Sequence, residues 1–128
     1  MNTPIDACKI VFDLLKDLGL PIYLFSAPQD PYDKITINFL PGSENQITNE
    51  IFVNVNIMVN KIGGFVDSSK LNDYQKLVQS ALKSFSGDQS RVTFAYFRFE
   101  DAPTLFSSWN DSNFAYLNNR ISLIFNSN

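Results

Sequence analysis

Residues 50 to 60 read Glu50-Ile51-Phe52-Val53-Asn54-Val55-Asn56-Ile57-Met58-Val59-Asn60, and this alternation decides the fold. Ile51, Val53, Val55, Ile57 and Val59 recur every second residue, so in an extended chain they share one face. Asn54, Asn56 and Asn60 then share the opposite face. One apolar face and one amide face describe a half-buried antiparallel strand, whose polar side meets water or a partner.

Upstream, Lys34 to Leu40 repeats the pattern, with Ile35, Ile37 and Phe39 on one side and Thr36 and Asn38 on the other. Pro41-Gly42 marks a turn. A shorter strand is expected from Pro21 to Phe25, and the loop leading out of it contains Pro28, Asp30, Pro31, Tyr32 and Asp33. The chain opens on a different period. Ile5, Cys8, Val11, Phe12, Leu15 and Leu18 form a helical stripe from about Pro4 to Leu18, with Thr3 as cap, Pro4 in the first turn and Gly19 as stop.

Downstream, Gly63-Gly64 reads as a permissive connection. A second helix is expected from a Ser68 or Ser69 cap to about Phe85, burying Leu71, Tyr74, Leu77, Val78, Ala81, Leu82 and Phe85. Arg91 to Glu100 carries apolar residues on both faces, as a central strand would. Asp101 to Asp111 reads as polar and irregular, and Phe114 to Phe125 as a long closing strand. The order predicts one domain over residues 1–128, of α+β class: a mainly antiparallel sheet of four to five strands with two principal helices on one face.

Composition narrows the function. At 128 residues and 45% hydrophobic, with twelve Phe, the chain fills one core and is not expected to be disordered. Apolar runs such as Ile121 to Phe125 fall well short of the roughly 18 residues of a spanning helix, so no membrane span is expected. The first residues show neither a basic nor an apolar region of secretory type. A net charge of −3 with scattered Lys and Arg argues against a nucleic-acid footprint.

Histidine is absent, which removes Ser-His-Asp and Cys-His catalysis. Cys8, the only cysteine, falls on the apolar stripe of the first helix and reads as a small hydrophobe. Glu100-Asp101, at a strand end, reads as a solvated turn rather than a metal or catalytic pair, and Asp67 and Asp73 read as capping and dipole charges. Lys61, Lys70, Lys76 and Lys83 read as a solvated face. No catalytic residue, metal or cofactor is expected.

Surfaces are what exceed the needs of folding. Asn54 and Asn56 are candidate interface residues, as are Leu105, Phe106, Trp109 and Phe114, which stand as an exposed-looking aromatic run in a polar segment. The run either anchors an interface or covers an open end of the core. An intracellular protein-binding adaptor module using these aromatics is one reading of the chain.

Read end to end, the chain resembles the tail-terminator and head-tail-completion (neck) proteins of long-tailed bacteriophages. The resemblance rests on the opening helix Pro4 to Leu18 leading into Pro21-Ile22-Tyr23, and on the strand Glu50 to Val59 followed by a helix with Tyr74, Leu77, Val78 and Leu82. It includes a final strand, Ala115 to Phe125, beginning near an Asn-Asn-Arg turn-like element, Asn118 to Arg120. It implies a non-enzymatic virion protein, assembled in the host cytoplasm as a homo-oligomeric ring, often a hexamer. Such a ring joins the tail tube to neck proteins and has no cofactor and no active site.

Overall fold

The computed structural model describes residues 3–28, 30–39, 50–83, 95–99, 104–107 and 114–125. Eight elements follow in order: α1 (Pro4–Leu15), β1 (Ile22–Leu24), β2 (Lys34–Phe39), β3 (Glu50–Asn60), α2 (Ser68–Lys83), β4 (Ala95–Phe99), β5 (Thr104–Ser107) and β6 (Phe114–Phe125). They make an α+β fold in which both helices pack on the sheet.

β3 lies in the middle of the sheet, antiparallel to β2 on one side and along its whole length to β6 on the other. Its odd-numbered residues Ile51 to Val59 are buried, as the alternation predicts, and meet Ile35, Ile37, Ile121 and Leu123 on the same face. The helices cover that face with Ala7, Cys8, Ile10, Val11 and Leu15 from α1 and Leu71, Val78 and Leu82 from α2. Full burial stabilises each large aliphatic side chain by roughly 1.5–3 kcal/mol, so this layer contact is the main source of fold stability.

The helices differ from expectation at their ends. The Thr3 hydroxyl accepts the Asp6 N–H at 3.1 Å while the Asp6 carboxylate accepts the Thr3 N–H at 3.0 Å, a reciprocal cap. α1 ends at Leu15 rather than Leu18: the Leu18 N–H reaches only the Leu15 carbonyl, and Gly19 turns at φ 85°. Leu18 and Leu20 still pack on the core from this turn. Ile5 is exposed rather than on the stripe, where Ala7 and Ile10 stand instead. In α2 the cap is Asp67, whose carboxylate accepts the Lys70 N–H at 3.1 Å, and not Ser68 or Ser69. Leu77 is exposed, and its expected place beside Val78 goes to the amide Gln75. Phe85 lies outside the described residues.

β1 runs parallel to β2, pairing Ile22 with Ile35 and Leu24 with Ile37, while the other strand pairs are antiparallel, so the sheet is mainly antiparallel as expected. Three other expectations are corrected. β4 pairs with β6 at the end of the strand order, an edge position rather than the central one that apolar residues on both faces suggested. Within the stretch read as irregular, Thr104–Ser107 forms β5, which pairs with the first half of β6 as β4 pairs with the second. The two therefore share one edge, and the sheet is five strands wide. Phe99 stands opposite Ile121 and Thr104 opposite Asn118, so this edge advances five residues while β6 advances three. Asn118 to Arg120 is continuous strand and not a turn. Among the described residues, no helix is long and apolar enough to cross a membrane.

Candidate functional site

Among the described residues the helices pack on one face of the sheet only, and the side chains of the other face follow from the same alternation. Thr36, Asn38, Asn54, Asn56, Met58, Asn60, Tyr116 and Asn118 are all half-buried there. The register lines the amides up in rows across the strands: Asn54 opposite Asn38, and Asn56 between Thr36 and Asn118. The Asn54 amide donates to the Asn38 side-chain oxygen at 3.2 Å, and the Asn56 amide to the Thr36 hydroxyl at 3.3 Å. The Asn118 amide donates in turn to the Asn56 oxygen. Directly opposed side chains of this kind stitch strands together. Asn54 and Asn56, named from sequence as interface residues, thus first serve the sheet itself.

At one end of this face, the connection from β1 to β2 brings residues 25–28 and 30–33 over the strands. Lys34 holds the loop down. Its side chain is 2% exposed, and its ammonium donates to the Pro28 carbonyl (3.0 Å), the Asp30 carbonyl (3.2 Å) and the Asp30 carboxylate (2.7 Å). An ammonium has three protons, so these bonds saturate it. The Phe114 ring lies 5.4 Å from the same nitrogen. Phe114, expected to be exposed, is buried at the start of β6 beneath this cation. The Asp30 carboxyl is held below the usual carboxylate range by the Lys34 ammonium and then by the Tyr32 backbone N–H.

Asp33 ties the loop to the helical layer. One carboxylate oxygen accepts the Asn60 backbone N–H at 2.8 Å and the Asn60 amide at 2.9 Å; the other accepts the Lys70 ammonium at 2.7 Å and the Tyr74 hydroxyl at 3.5 Å. Burial alone would push the Asp33 carboxyl up, but the Lys70 and Asn60 donors outweigh it and the net shift is downward. A group lowered in this way stabilises the fold above its unfolded value, about 3.9, and loses that contribution as pH falls through the lower folded value. Asp33→Asn is therefore expected to destabilise the protein at pH 7. The stability gap to wild type should close as pH falls below about 4, and urea unfolding of both proteins across pH 2.5–7 checks this. A gap that stays constant with pH would show that the Asp33 charge has no such role.

Beyond β3, Gly63 and Gly64 make a defined turn rather than a flexible connection. The Ile62 and Phe65 backbones exchange hydrogen bonds of 2.8 and 3.0 Å, and both glycines have positive φ, 57° and 82°, the signature of a two-residue type I′ hairpin. This tip and the 25–33 loop face each other as two walls. Between them lies a cleft of about 1110 Å³, floored by Thr36, Met58 and Tyr116. Of the six large hydrophobic side chains exposed among the described residues, Phe25 lines the cleft, and Ile62 and Phe65 flank the two glycines that line its other wall. The sequence carried one signal of this site, the Gly-Gly pair between the apolar residues Ile62 and Phe65.

The remaining candidates fall elsewhere. Leu105 and Phe106 lie on β5, their backbones opposite Leu117 and Tyr116. Trp109, Glu100 and Asp101 lie outside the described residues. Cys8 is wholly buried under α1, where desolvation pushes its thiol up to about 12; such a group stays protonated and unreactive at neutral pH. Lys70 belongs to the Asp33 cluster rather than to a merely solvated face. Among the described residues, no three His, Cys, Asp or Glu side chains gather as a metal site would require. The sequence matches no family model and no curated protein, so any functional reading stands on this geometry.

Proposed function

We propose that the chain is a non-enzymatic structural subunit of a long-tailed phage virion, a tail terminator or head-tail connector that forms a ring between tail tube and neck. The observation that carries this reading is the two-sidedness of the sheet. One face is closed by both helices, and the other is a half-buried amide surface ending in a cleft lined by Phe25, Met58 and Tyr116, with the exposed Ile62 and Phe65 beside the glycines of one wall. Exposed apolar groups gathered in one place mark a surface that another protein covers. Of the charged groups that line the cleft, Lys34 and Asp30 are engaged with each other in holding its wall. Partners in this reading are further copies of the chain together with tail-tube and neck proteins. The protein functions in the virion after assembly in the host cytoplasm, and it requires no cofactor.

The solution mass tests the reading. Light scattering over a concentration series is expected to show growth from the 14.5 kDa chain toward one defined multiple. A chain that stays monomeric at every concentration, and that does not assemble when tail-tube or neck proteins are added, would remove the proposal.

A further inference from the structure

We infer that the connection from β1 to β2 is a sprung strap. Lys34 clasps it shut over the sheet, and strained backbone at Phe25 drives it open once the clasp is broken. Three observations support this, none of which depends on what the protein assembles with.

The first is strain. Phe25 has φ 71° and is the one residue other than glycine with a positive φ among the described residues. The Ser26 N–H reaches back to the Leu24 carbonyl at 2.8 Å, closing a turn of three residues about Phe25. A three-residue turn with positive φ at its centre is the rare, strained hand of the γ-turn. For a bulky side chain that backbone region is an outlier, and it persists only where its surroundings hold it.

The second is that polar bonds, and not packing, do the holding. The Phe25 N–H still donates to the Ile37 carbonyl at 2.7 Å, so the strained turn starts where the pairing of β1 with β2 ends. None of the described residues from Phe25 to Asp33 is buried. Phe25 itself is 43% exposed and meets Phe39 only edge-on, at 5.8 Å between ring centres. Lys34, by contrast, is buried on β2, and its three bonds fasten Pro28 and Asp30. A segment without buried residues opens at lower free energy than the sheet beneath it.

The third is placement. The strap is one wall of the cleft, from Phe25 to Pro31. Its far end stays tied when the clasp opens, because Asp33 is bound separately to Asn60 and Lys70. Opening therefore removes a wall of the cleft without unpairing a strand, and the Lys34 clasp sets the width of the cleft.

Glycine is the easier residue than alanine at positive φ, and the worse one at ordinary φ. Both lack the Phe25 ring, so comparing them isolates the strain. In the wild-type background Phe25→Gly is expected to unfold at a higher urea concentration than Phe25→Ala. In the Lys34→Met background the order is expected to reverse, because the released turn relaxes to negative φ. Lys34→Met in the full chain is also expected to speed amide exchange in peptides covering residues 25–33 by about tenfold or more, while peptides covering 50–60 keep wild-type rates. Should Lys34→Met fail to fold, Asp30→Asn weakens the clasp from its exposed side and is expected to narrow the gap between the glycine and alanine variants. The same order and gap in clasped and unclasped backgrounds would overturn the proposal, since the turn would then not be held by Lys34.

Discussion

Asn119→Leu is expected to cost about 1–3 kcal/mol of stability, and Gln75→Met in the same chain is expected to restore most of it. Asn119 is completely buried on β6, and Gln75 is 7% exposed on α2 above it. Each amide donates to the other's oxygen, at 2.6 Å from Gln75 and 2.8 Å from Asn119. Such a reciprocal pair gives each amide one donated and one accepted hydrogen bond at the centre of an apolar layer. Leucine preserves the shape of asparagine and removes its polarity, so the single variant strands a Gln75 amide where water cannot reach it. Removing both amides leaves an apolar contact of similar volume, which is near neutral on the same accounting. Urea unfolding of the four proteins closes the cycle, and a double variant as unstable as the sum of the singles would show that the pairing is not what holds the amides there.

Ile57→Ala is expected to cost about 2–5 kcal/mol, more than any substitution on the opposite face of the same strand. Ile57 is fully buried in the central strand, between Ile35 on β2 and Leu117 on β6. Neighbours on both sides belong to paired strands and cannot close the space left by three lost carbons. Ile57→Val is expected to cost about 0.5–1.5 kcal/mol. Met58→Ala, one residue on, removes a half-buried side chain from the face away from the helices and is expected to cost less than Ile57→Ala. If the two alanine variants unfold at the same urea concentration, the inward and outward assignment of β3 is mistaken.

That assignment was fully legible in the sequence, because a period of two over eleven residues has one structural solution. Thr3, Asp6 and Pro4 likewise announce the start of α1 locally. Gln75 and Asn119 were hidden for opposite reasons. Asn119 occupies an inward position in the alternation Leu117, Asn119, Ile121, but its type suggests a turn. Gln75 sits on a helix where Leu77 looks the better core residue. Each is explained only by the other, 44 residues away. Asp33 looked like one more loop acid, since its partners Asn60, Lys70 and Tyr74 lie on two later elements. Composition misled at β4, where apolar residues on both faces resemble a central strand, because strand order is set by which register β6 accepts. The cleft was legible only as a glycine pair, for its two walls meet across the sheet and not along the chain.

The margins of the sheet constrain how this molecule can join others. Unpaired strand edges invite a neighbouring chain to add a strand, the route by which sheet proteins aggregate into fibres. Here one margin is β1, only three residues long. The other is the β4–β5 margin, whose register slips by two residues partway along β6, so an added strand would not find an unbroken row of backbone partners. Among the described residues, growth by backbone ladder is thereby discouraged at both margins, which leaves association to side chains that can be switched by single substitutions.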